Sequence, residues 1–326
     1  MVERLDMRAL GETLRNARGL AAKGDIATVA ERLGLSLASS IPVGDDCAAI
    51  PDGEGYLLFA IEGFINEFVA ADPWFAGWCG VMVNISDVAA MGGRPIAVVD
   101  AIWADGGETA APILAGLRAA AEAFAVPIVG GHANMRAERS QLSVAILGRA
   151  RRLLTSFDAR PGDRLVAAID LRGRYREPFA NWDAATSAPA ARLRKDLELL
   201  PRIAEAGLSR AAKDISQGGI VGTAAMLAEC SGVGVRIDVR AVPKPDSAPI
   251  DRWLMTFPSF GYLLAVAPDD VGAVTRLFAE RDIAAADIGA VLDGKEAAIA
   301  DGESVEVIWD FERMPLIAAR RRETVA

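Results

Sequence analysis

The sequence has few cysteines, and none of them stands in a disulfide or metal-binding pattern. Cys47, Cys79 and Cys230 are the three cysteines among 326 residues, and no CxxC pair occurs. An odd and widely spaced set argues against a disulfide framework and against a structural zinc site. Such sparse thiols are typical of the reducing cytoplasm, which is the location we expect.

A long apolar run and an excess of positive charge are both missing. No stretch of about 18 apolar residues occurs, and the residues Met1 to Asp6 mix charges, so we expect a soluble protein that is neither exported nor membrane-bound. Lys and Arg number 35 against 44 Asp and Glu, for a net charge of -9. This balance gives no electrostatic reason to expect nucleic acid as a partner.

The chain does contain enough apolar residues for two cores. With 326 residues, of which 52% are hydrophobic, it exceeds what a single core usually supports, and strands alternate with helices along it. Turn-forming residues at 159–163 separate the two halves. We therefore predict an α/β protein with one domain at 1–155, which includes a helical extension at 1–35, and a second domain at 156–326.

The clearest predicted element is a helix that begins at Asp72-Pro73 and stops at Gly92-Gly93, because the first pair supplies an N-cap and a proline at the first helical position. Hydrophobic periodicity predicts further helices at 111–124, 190–200, 219–230 and 269–281, and strands at 56–61, 96–103, 126–129, 142–147, 165–169, 233–239, 262–266 and 288–292.

Two adjacent carboxylates follow a glycine at Gly44-Asp45-Asp46. Like charges side by side are costly unless a cation lies between them, and Mg2+ accepts one or two carboxylates together with phosphate oxygens. The same pattern is ordinary turn chemistry, so a solvated surface loop stays open as the alternative.

The helix predicted at 73–91 carries Asn84 and Asp87 on one face among apolar residues. A carboxylate buried on such a face needs a partner or a metal ion. We interpret the pair as part of a site, and a structural hydrogen bond to a neighbouring loop is the alternative.

The only histidine, His132, follows a strand and two glycines, Gly130 and Gly131. Paired glycines let another group approach the backbone, and an imidazole suits metal ligation, phosphate binding or proton transfer. A purely structural histidine is the alternative.

A second glycine-rich turn runs from Lys213-Asp214 to Gly218-Gly219 and opens a helix, whose free amides attract phosphate. The turn matches neither a Walker A loop nor the GxGxxG fingerprint, and a plain strand-to-helix connection is the alternative. Arginines and aromatics at 170–183 suit an anionic or planar substrate, or form a solvated charged loop.

The order and spacing of these motifs resemble those of the superfamily of aminoimidazole ribonucleotide (AIR) synthase, thiamine monophosphate kinase, selenophosphate synthetase and a hydrogenase maturation factor. The resemblance covers residues from about 40 to 310 and is closest to the kinase at 44–49 and 84–93. It implies a PurM-like two-domain fold, whose N-terminal sheet domain dimerises into a barrel-like ATP site. The implied cofactors are ATP and Mg2+, and the implied partners are a second copy of the chain and a small-molecule substrate.

In that superfamily several acids bind Mg2+ ions that bridge the ATP phosphates. The resemblance implies four metal ligands here, with glutamate at one position where the kinase has aspartate: Asp45, Asp46, Glu62 and Asp87. His132 and Asp214 are the candidates for orienting the nucleophile. The residues expected to contact nucleotide or phosphate are Asp45, Asp46, Asn84, Asp87, Gly130, Gly131, Lys213, Gly218 and Gly219.

Two departures separate the chain from thiamine monophosphate kinase. His132 stands where the kinase has the aspartate of Gly-Gly-Asp, and Gln217 stands where it has the second aspartate of Asp-x-Ser-Asp-Gly. We therefore expect a divergent branch that phosphorylates or ATP-activates an oxygen of a small molecule. The alternatives are a selenophosphate-synthetase-like phosphotransferase, although residues 1–40 lack the reactive cysteine of that enzyme, a non-catalytic nucleotide-binding dimer, and a metal-dependent hydrolase.

Overall fold

The computed structural model describes residues 5–35, 41 and 43–318, which divide into two compact units. The five-stranded unit comprises Asp46–Leu153 and Ala185–Glu205. The seven-stranded unit comprises the described residues up to Asp45, Leu154–Ala184 and the described residues from Ala206 onward. The junction at Leu153 lies near the boundary predicted at 155. The helical extension, predicted as part of the first domain, belongs to the seven-stranded unit, and the segment 185–205, predicted as part of the second domain, belongs to the five-stranded unit.

The helices are α1 (Met7–Arg15), α2 (Arg18–Ala21), α3 (Gly24–Leu33), α4 (Asn66–Ala71), α5 (Pro73–Ala90), α6 (Gly107–Phe124), α7 (Ala190–Leu197), α8 (Leu199–Ala206), α9 (Gly219–Ser231), α10 (Ile250–Leu254) and α11 (Val271–Ala279), with a short 3-10 helix at Pro268–Asp270. The strands are β1 (Ala48–Asp52), β2 (Gly55–Gly63), β3 (Arg94–Asp105), β4 (Ile128–Asn134), β5 (Arg136–Ala150), β6 (Arg164–Ile169), β7 (Arg174–Tyr175), β8 (Asn181–Asp183), β9 (Ala211–Asp214), β10 (Gly234–Asp238), β11 (Phe257–Pro258), β12 (Gly261–Val266), β13 (Ala284–Leu292), β14 (Glu296–Asp301) and β15 (Ser304–Asp310).

Helix α5 confirms the clearest of the predicted elements. Asp72 precedes it, and the Asp72 carboxylate accepts a hydrogen bond from the Phe75 backbone N–H at 3.2 Å, as expected of an N-cap. Strand β4, in contrast, does not end at the predicted residue 129, because it continues through Gly130 and Gly131 to Asn134. The two glycines therefore lie inside an edge strand and not in a turn.

The five-stranded unit has the strand order β1-β2-β5-β3-β4, in which only β3 and β4 are parallel. Helix α5 is buried along almost its whole length, with α6 packed against it. The two helices approach so closely at Gly116 that a methyl group there would overlap the backbone of Trp74. The segment 185–205 is tied to β3 by Arg94, which bonds Glu198 at 2.9 Å and Glu205 at 2.7 Å.

One face of the five-stranded sheet carries these helices, and the opposite face is open. On β2 the side chains alternate, so that Leu58 is buried while Phe59 and Ile61 are 51% and 66% exposed. Strand pairing aligns Phe59 with Leu147 on β5, and Ile61 with Ala145. The open face is therefore an apolar surface that extends over neighbouring strands.

The seven-stranded unit has the strand order β15-β14-β10-β13-β6-β12-β9, and its central strands are buried. Leu263 and Ala265 of β12 face the main core, to which α9 contributes most of its length. The N-terminal helices join the same core through Met7, Leu10, Leu14 and Leu20, which is why residues 5–35 belong to this unit. In the part of the chain that the structure describes, no helix is both long and apolar enough to cross a membrane.

Candidate metal centre

Asp46 and Asp87 form a close pair of acids in the five-stranded unit. A carboxylate oxygen of one lies within 4.8 Å of a carboxylate oxygen of the other. Asp87 is held by the buried helix α5 and is only 5% exposed, whereas Asp46 is partly exposed just ahead of β1. Two negative charges this close repel each other unless a cation or a proton lies between them.

Asn84 adds an oxygen atom one helical turn before Asp87. Its side-chain amide nitrogen donates to the Gly80 carbonyl oxygen at 2.8 Å, but its Oδ1 accepts no hydrogen bond from any described residue. Asn84 is completely buried. A buried acceptor without a donor costs about 1–3 kcal/mol, so this oxygen indicates a ligand or cation that completes it.

The residues present fit a hard cation. Carboxylate and amide oxygens are the ligands of Mg2+ and Ca2+, whereas zinc and copper sites are built with imidazole and thiolate groups. Among the residues that the structure describes, neither His132 nor any cysteine joins a group of three or more potential metal ligands. The chemistry of the donors therefore favours a hard divalent cation such as Mg2+ over zinc or copper.

Glu62 lies on β2 and is not a member of this pair of acids. It pairs with Val144 on β5, and Val144 is the side chain that a methyl group on Gly80 would meet at 2.8 Å. Gly80 precedes Asp87 by two helical turns, or about 10 Å along α5. Within the described residues Glu62 is in no group of three or more potential ligands, and its metal role stays a prediction.

Asp45 belongs to the seven-stranded unit and has other contacts. Its Oδ1 accepts hydrogen bonds from the Ser156 backbone N–H at 3.0 Å and from the Ser156 hydroxyl at 2.7 Å. The two neighbouring acids thus differ, since Asp46 approaches Asp87 while Asp45 holds a serine. No sequence motif pointed to Ser156, which lies in a loop without a recognisable pattern.

His132 lies on the edge strand β4 and is exposed. It pairs with Ala101 of β3, on the same open face as Val99, and its ring centroid is 5.8 Å from that of Trp103. On the opposite face Asp100 sits beside Gly131, where an added Cβ would lie 2.7 Å from its Oδ1. A side chain at position 131 would overlap the Asp100 backbone carbonyl oxygen as well as the Asp100 carboxyl group.

Asp100 is an acid that the motif analysis missed. Burial raises the pKa of Asp100 above its usual value, and a hydrogen bond from its own backbone N–H only partly offsets this. The signal was present, since Asp100 is the single charged residue in the apolar segment 96–103.

The second glycine-rich turn has the predicted strand-turn-helix form, with β9 ending at Asp214 and α9 beginning at Gly219. Helix α2 covers it, because a methyl group on Gly19 would overlap the Gln217 carbonyl. The Lys23 ammonium donates to the Ser216 hydroxyl at 3.2 Å. Contact of Lys213, Gly218 and Gly219 with phosphate, and the role of Asp214, stay predictions.

The arginine-rich segment at 170–183 is largely matched by its own acids. Arg172 donates to both oxygens of the buried Asp170, at 2.8 and 3.1 Å, and Arg176 lies 3.9 Å from Asp183. The Arg252 guanidinium stacks 3.6 Å from the centroid of the Tyr175 ring. These contacts support a structural interpretation of the segment, because several of its charges are already compensated.

Comparison with known families gives two matches that together cover most of the chain. The model described as AIR synthase related protein, N-terminal domain, matches residues 44–150, and the model for the corresponding C-terminal domain matches residues 176–302. An uncharacterized protein of Synechocystis is 45% identical over 93% of this chain and 95% of its own length. An uncharacterized protein of Methanocaldococcus jannaschii is 33% identical over 95% of this chain and 98% of its own.

More distant relatives carry functional names. Phosphoribosylformylglycinamidine synthase subunit PurL of Methanopyrus kandleri is 28% identical over 80% of this chain, which spans only 40% of that subunit. The structure of T. maritima PurL complexed with ATP has a TM-score of 0.73 at 20% identity and covers 98% of this chain and 56% of its own. The structure of AaThiL complexed with AMPPCP and TMP has a TM-score of 0.68 at 22% identity, and the match covers 89% of this chain and 97% of the AaThiL chain. At these identities the likeness shows a shared fold.

Proposed function

The chain belongs to the AIR synthase related superfamily and has its PurM-like fold, and from that premise we propose that it is an Mg2+-dependent enzyme that uses ATP. It phosphorylates or ATP-activates an oxygen of a small-molecule substrate. The neighbouring T. maritima PurL structures contain ADP, ATP or AMPPCP, and AaThiL contains AMPPCP and TMP, which supports nucleotide binding here. The observation that carries the proposal is the close approach of Asp46 to Asp87.

In this proposal Asp46 and Asp87 hold Mg2+, and Asn84 contributes its free oxygen to the same site. The bound ion supplies positive charge that neutralises the nucleotide phosphates. The remaining work falls to the chain, which positions these groups through the buried helix α5 and through the pairing of β1 with β2. Such positioning is most of what phosphoryl transfer requires of a protein.

We also propose that two copies associate through the open face of the five-stranded sheet. Phe59, Ile61 and Val99 are each more than a third exposed there, and strand pairing makes them neighbours across β2, β5 and β3. An apolar surface that extends over several strands is the usual mark of a binding face. None of the three cysteines forms a disulfide, which fits a reducing compartment, so we propose the cytoplasm as the location of the enzyme.

Replacement of the paired acids tests the proposed function. Asp46→Asn and Asp87→Asn are each expected to weaken the binding of Mg2+–AMPPCP by more than about 100-fold, because a carboxylate charge next to a cation is worth several kcal/mol. Isothermal titration calorimetry measures this affinity, and circular dichroism checks the fold. Asp105→Asn, on the exposed end of β3, is the matched control and keeps the wild-type affinity. Wild-type affinity in both site variants contradicts the proposal.

A turnover measurement separates an enzyme from a dimer that only binds nucleotide. We expect ADP release that depends on Mg2+ and is stimulated by at least one compound in a panel of small molecules with free hydroxyl or amide oxygens. The Asp46→Asn and Asp87→Asn variants are expected to lose this stimulation. Tight binding of Mg2+–AMPPCP without any ADP release across the panel favours the non-catalytic alternative.

A further inference from the structure

The two acids of the Gly44-Asp45-Asp46 motif have separate surroundings. Asp46 approaches Asp87, whereas the Oδ1 of Asp45 accepts two hydrogen bonds from Ser156, one from its backbone N–H and one from its hydroxyl. Hydrogen bonds to a charged carboxylate are about twice as strong as those between neutral groups. The adjacent side chains thus make different contacts, although the sequence gives them the same chemistry.

Ser156 is itself rigidly held. It is completely buried, and its carbonyl oxygen accepts a hydrogen bond from the Ser231 hydroxyl at 2.8 Å. The Lys213 ammonium, which is only 5% exposed, lies 3.4 Å from the Ser156 hydroxyl oxygen. A buried ammonium favours a nearby anion, and the same hydroxyl connects it to the Asp45 carboxylate.

The backbone before Asp45 is also fixed. The Gly44 carbonyl oxygen lies 3.5 Å from the Cys230 sulfur on α9, and Gly44 has a φ of 119°, a conformation that residues with a side chain rarely adopt. The division between the two units falls directly after Asp45, and the chain returns to the seven-stranded unit at Leu154. Asp45 is the last residue before the chain leaves this unit, and Ser156 lies two positions after the chain returns to it. We call the two hydrogen bonds from Ser156 to Asp45 the clasp.

We propose that Asp45 is a positioning residue, held by Ser156, whose hydroxyl also contacts Lys213, and that Asp46 alone of the two is a metal ligand. This inference rests on the proposed function, because it assigns different roles to two neighbouring acids of the proposed metal site. The clasp fixes the backbone at Asp45, and with it the peptide bond that leads to Asp46, so that Asp46 loses less conformational freedom when it binds the ion. Asp45 acts through Asp46, and it contacts neither metal nor nucleotide.

Asparagine and alanine substitutions separate the two roles. Asparagine at position 45 still accepts both hydrogen bonds from Ser156 but carries no charge, so Asp45→Asn keeps the Mg2+–AMPPCP affinity within about 3-fold of wild type, whereas Asp46→Asn loses more than about 100-fold. Asp45→Ala and Ser156→Ala remove the clasp and weaken binding by about 10- to 100-fold, the usual effect of losing a group that orients a ligand. Equal losses in Asp45→Asn and Asp46→Asn, with Ser156→Ala at wild-type affinity, overturn the proposal.

Hydrogen–deuterium exchange of the free protein provides a readout that does not depend on metal. In Ser156→Ala, amides in the peptide that covers 43–50 are expected to exchange at least about 10-fold faster, while peptides from α5 stay unchanged. Wild-type protection of 43–50 in that variant overturns the clasp. If the wild-type protein binds no Mg2+–AMPPCP, the proposed function fails, and the exchange result alone then decides whether Asp45 is anchored.

Discussion

The two sheets of this protein differ in how far the side chains on their two faces are buried. In the seven-stranded sheet, every residue of β12 is buried, with Leu263 and Ala265 facing the main core and Leu264 and Val266 on the opposite side. In the five-stranded sheet, the face opposite α5 exposes Phe59 and Ile61. Strand β12 of one sheet is buried on both faces, while the other sheet leaves an apolar surface exposed.

The same residue type therefore has opposite consequences in the two sheets. A large apolar side chain in β12 stabilises the folded unit by leaving water, whereas one on the open face of β2 contributes little until another molecule covers it. If the proposed dimer forms through this face, stability and association depend on different strands. Substitutions that separate these two quantities test the comparison directly.

Truncation in the closed sheet is expected to have the largest effect. Leu264→Ala in β12 should lower the free energy of unfolding by about 2–5 kcal/mol, because it removes packed atoms and leaves a cavity. Phe59→Ala, which removes a larger side chain from the open face, is expected to stay within about 0.5 kcal/mol in the monomer. Chemical denaturation at low protein concentration measures both. A larger loss for Phe59→Ala contradicts the difference between the sheets.

A charge on the open face is expected to break association. Ile61→Asp should raise the dimer dissociation constant by more than about 100-fold, because the carboxylate would be desolvated against an apolar surface. Sedimentation velocity measures the mass of the species over a range of concentrations. Val305→Asp places the same charge at an exposed position of β15 in the other unit and leaves the dimer intact. Persistence of the dimer in Ile61→Asp rejects the proposed interface.

Asp100 offers the smallest and most specific effect. Because burial raises the pKa of Asp100, the folded state binds the proton more tightly than the unfolded state. Wild-type stability therefore falls as the pH rises through the interval between the unfolded pKa, about 3.9, and the raised folded pKa, and it stays lower above that interval. Asp100→Asn lacks this penalty.

We therefore expect the melting temperature of Asp100→Asn to exceed that of the wild type by about 1–2 °C at pH 7, with the difference vanishing below about pH 4. Thermal unfolding at a series of pH values measures it. The exposed Asp105→Asn variant should show no comparable trend. A lower melting temperature of Asp100→Asn at pH 7 would show that the carboxylate is stabilised by a contact in the folded protein.

Local signals in the sequence predicted part of the fold well. Helix α5 is bounded by an N-cap at Asp72 and glycines after Met91, and such signals act within a few residues. Strand β14 carries no such signal, because its centre reads Ala297, Ala298, Ile299 and Ala300, a composition that also suits a helix. Pairing with β10 and β15 decides its conformation, and that pairing is not visible in the local sequence.

The site was predictable in outline but not in detail. Motif order pointed to Asp46 and Asp87, which lie far apart in the chain and approach each other in the structure. It could not distinguish Asp45 from Asp46, because neighbouring acids look alike until the contacts of Ser156 are known.

The discontinuous composition of the two units affects the order in which the chain can fold during synthesis. Helix α1 emerges first, yet β15, on which it packs and whose Glu306 pairs with Arg15, is the last of the described strands to be made. Likewise, Arg94 is made well before its partners Glu198 and Glu205, because the chain leaves the five-stranded unit after Leu153 and returns to it only at Ala185. Neither unit can therefore be finished before most of the polypeptide has left the ribosome, and an early stop in translation leaves both incomplete.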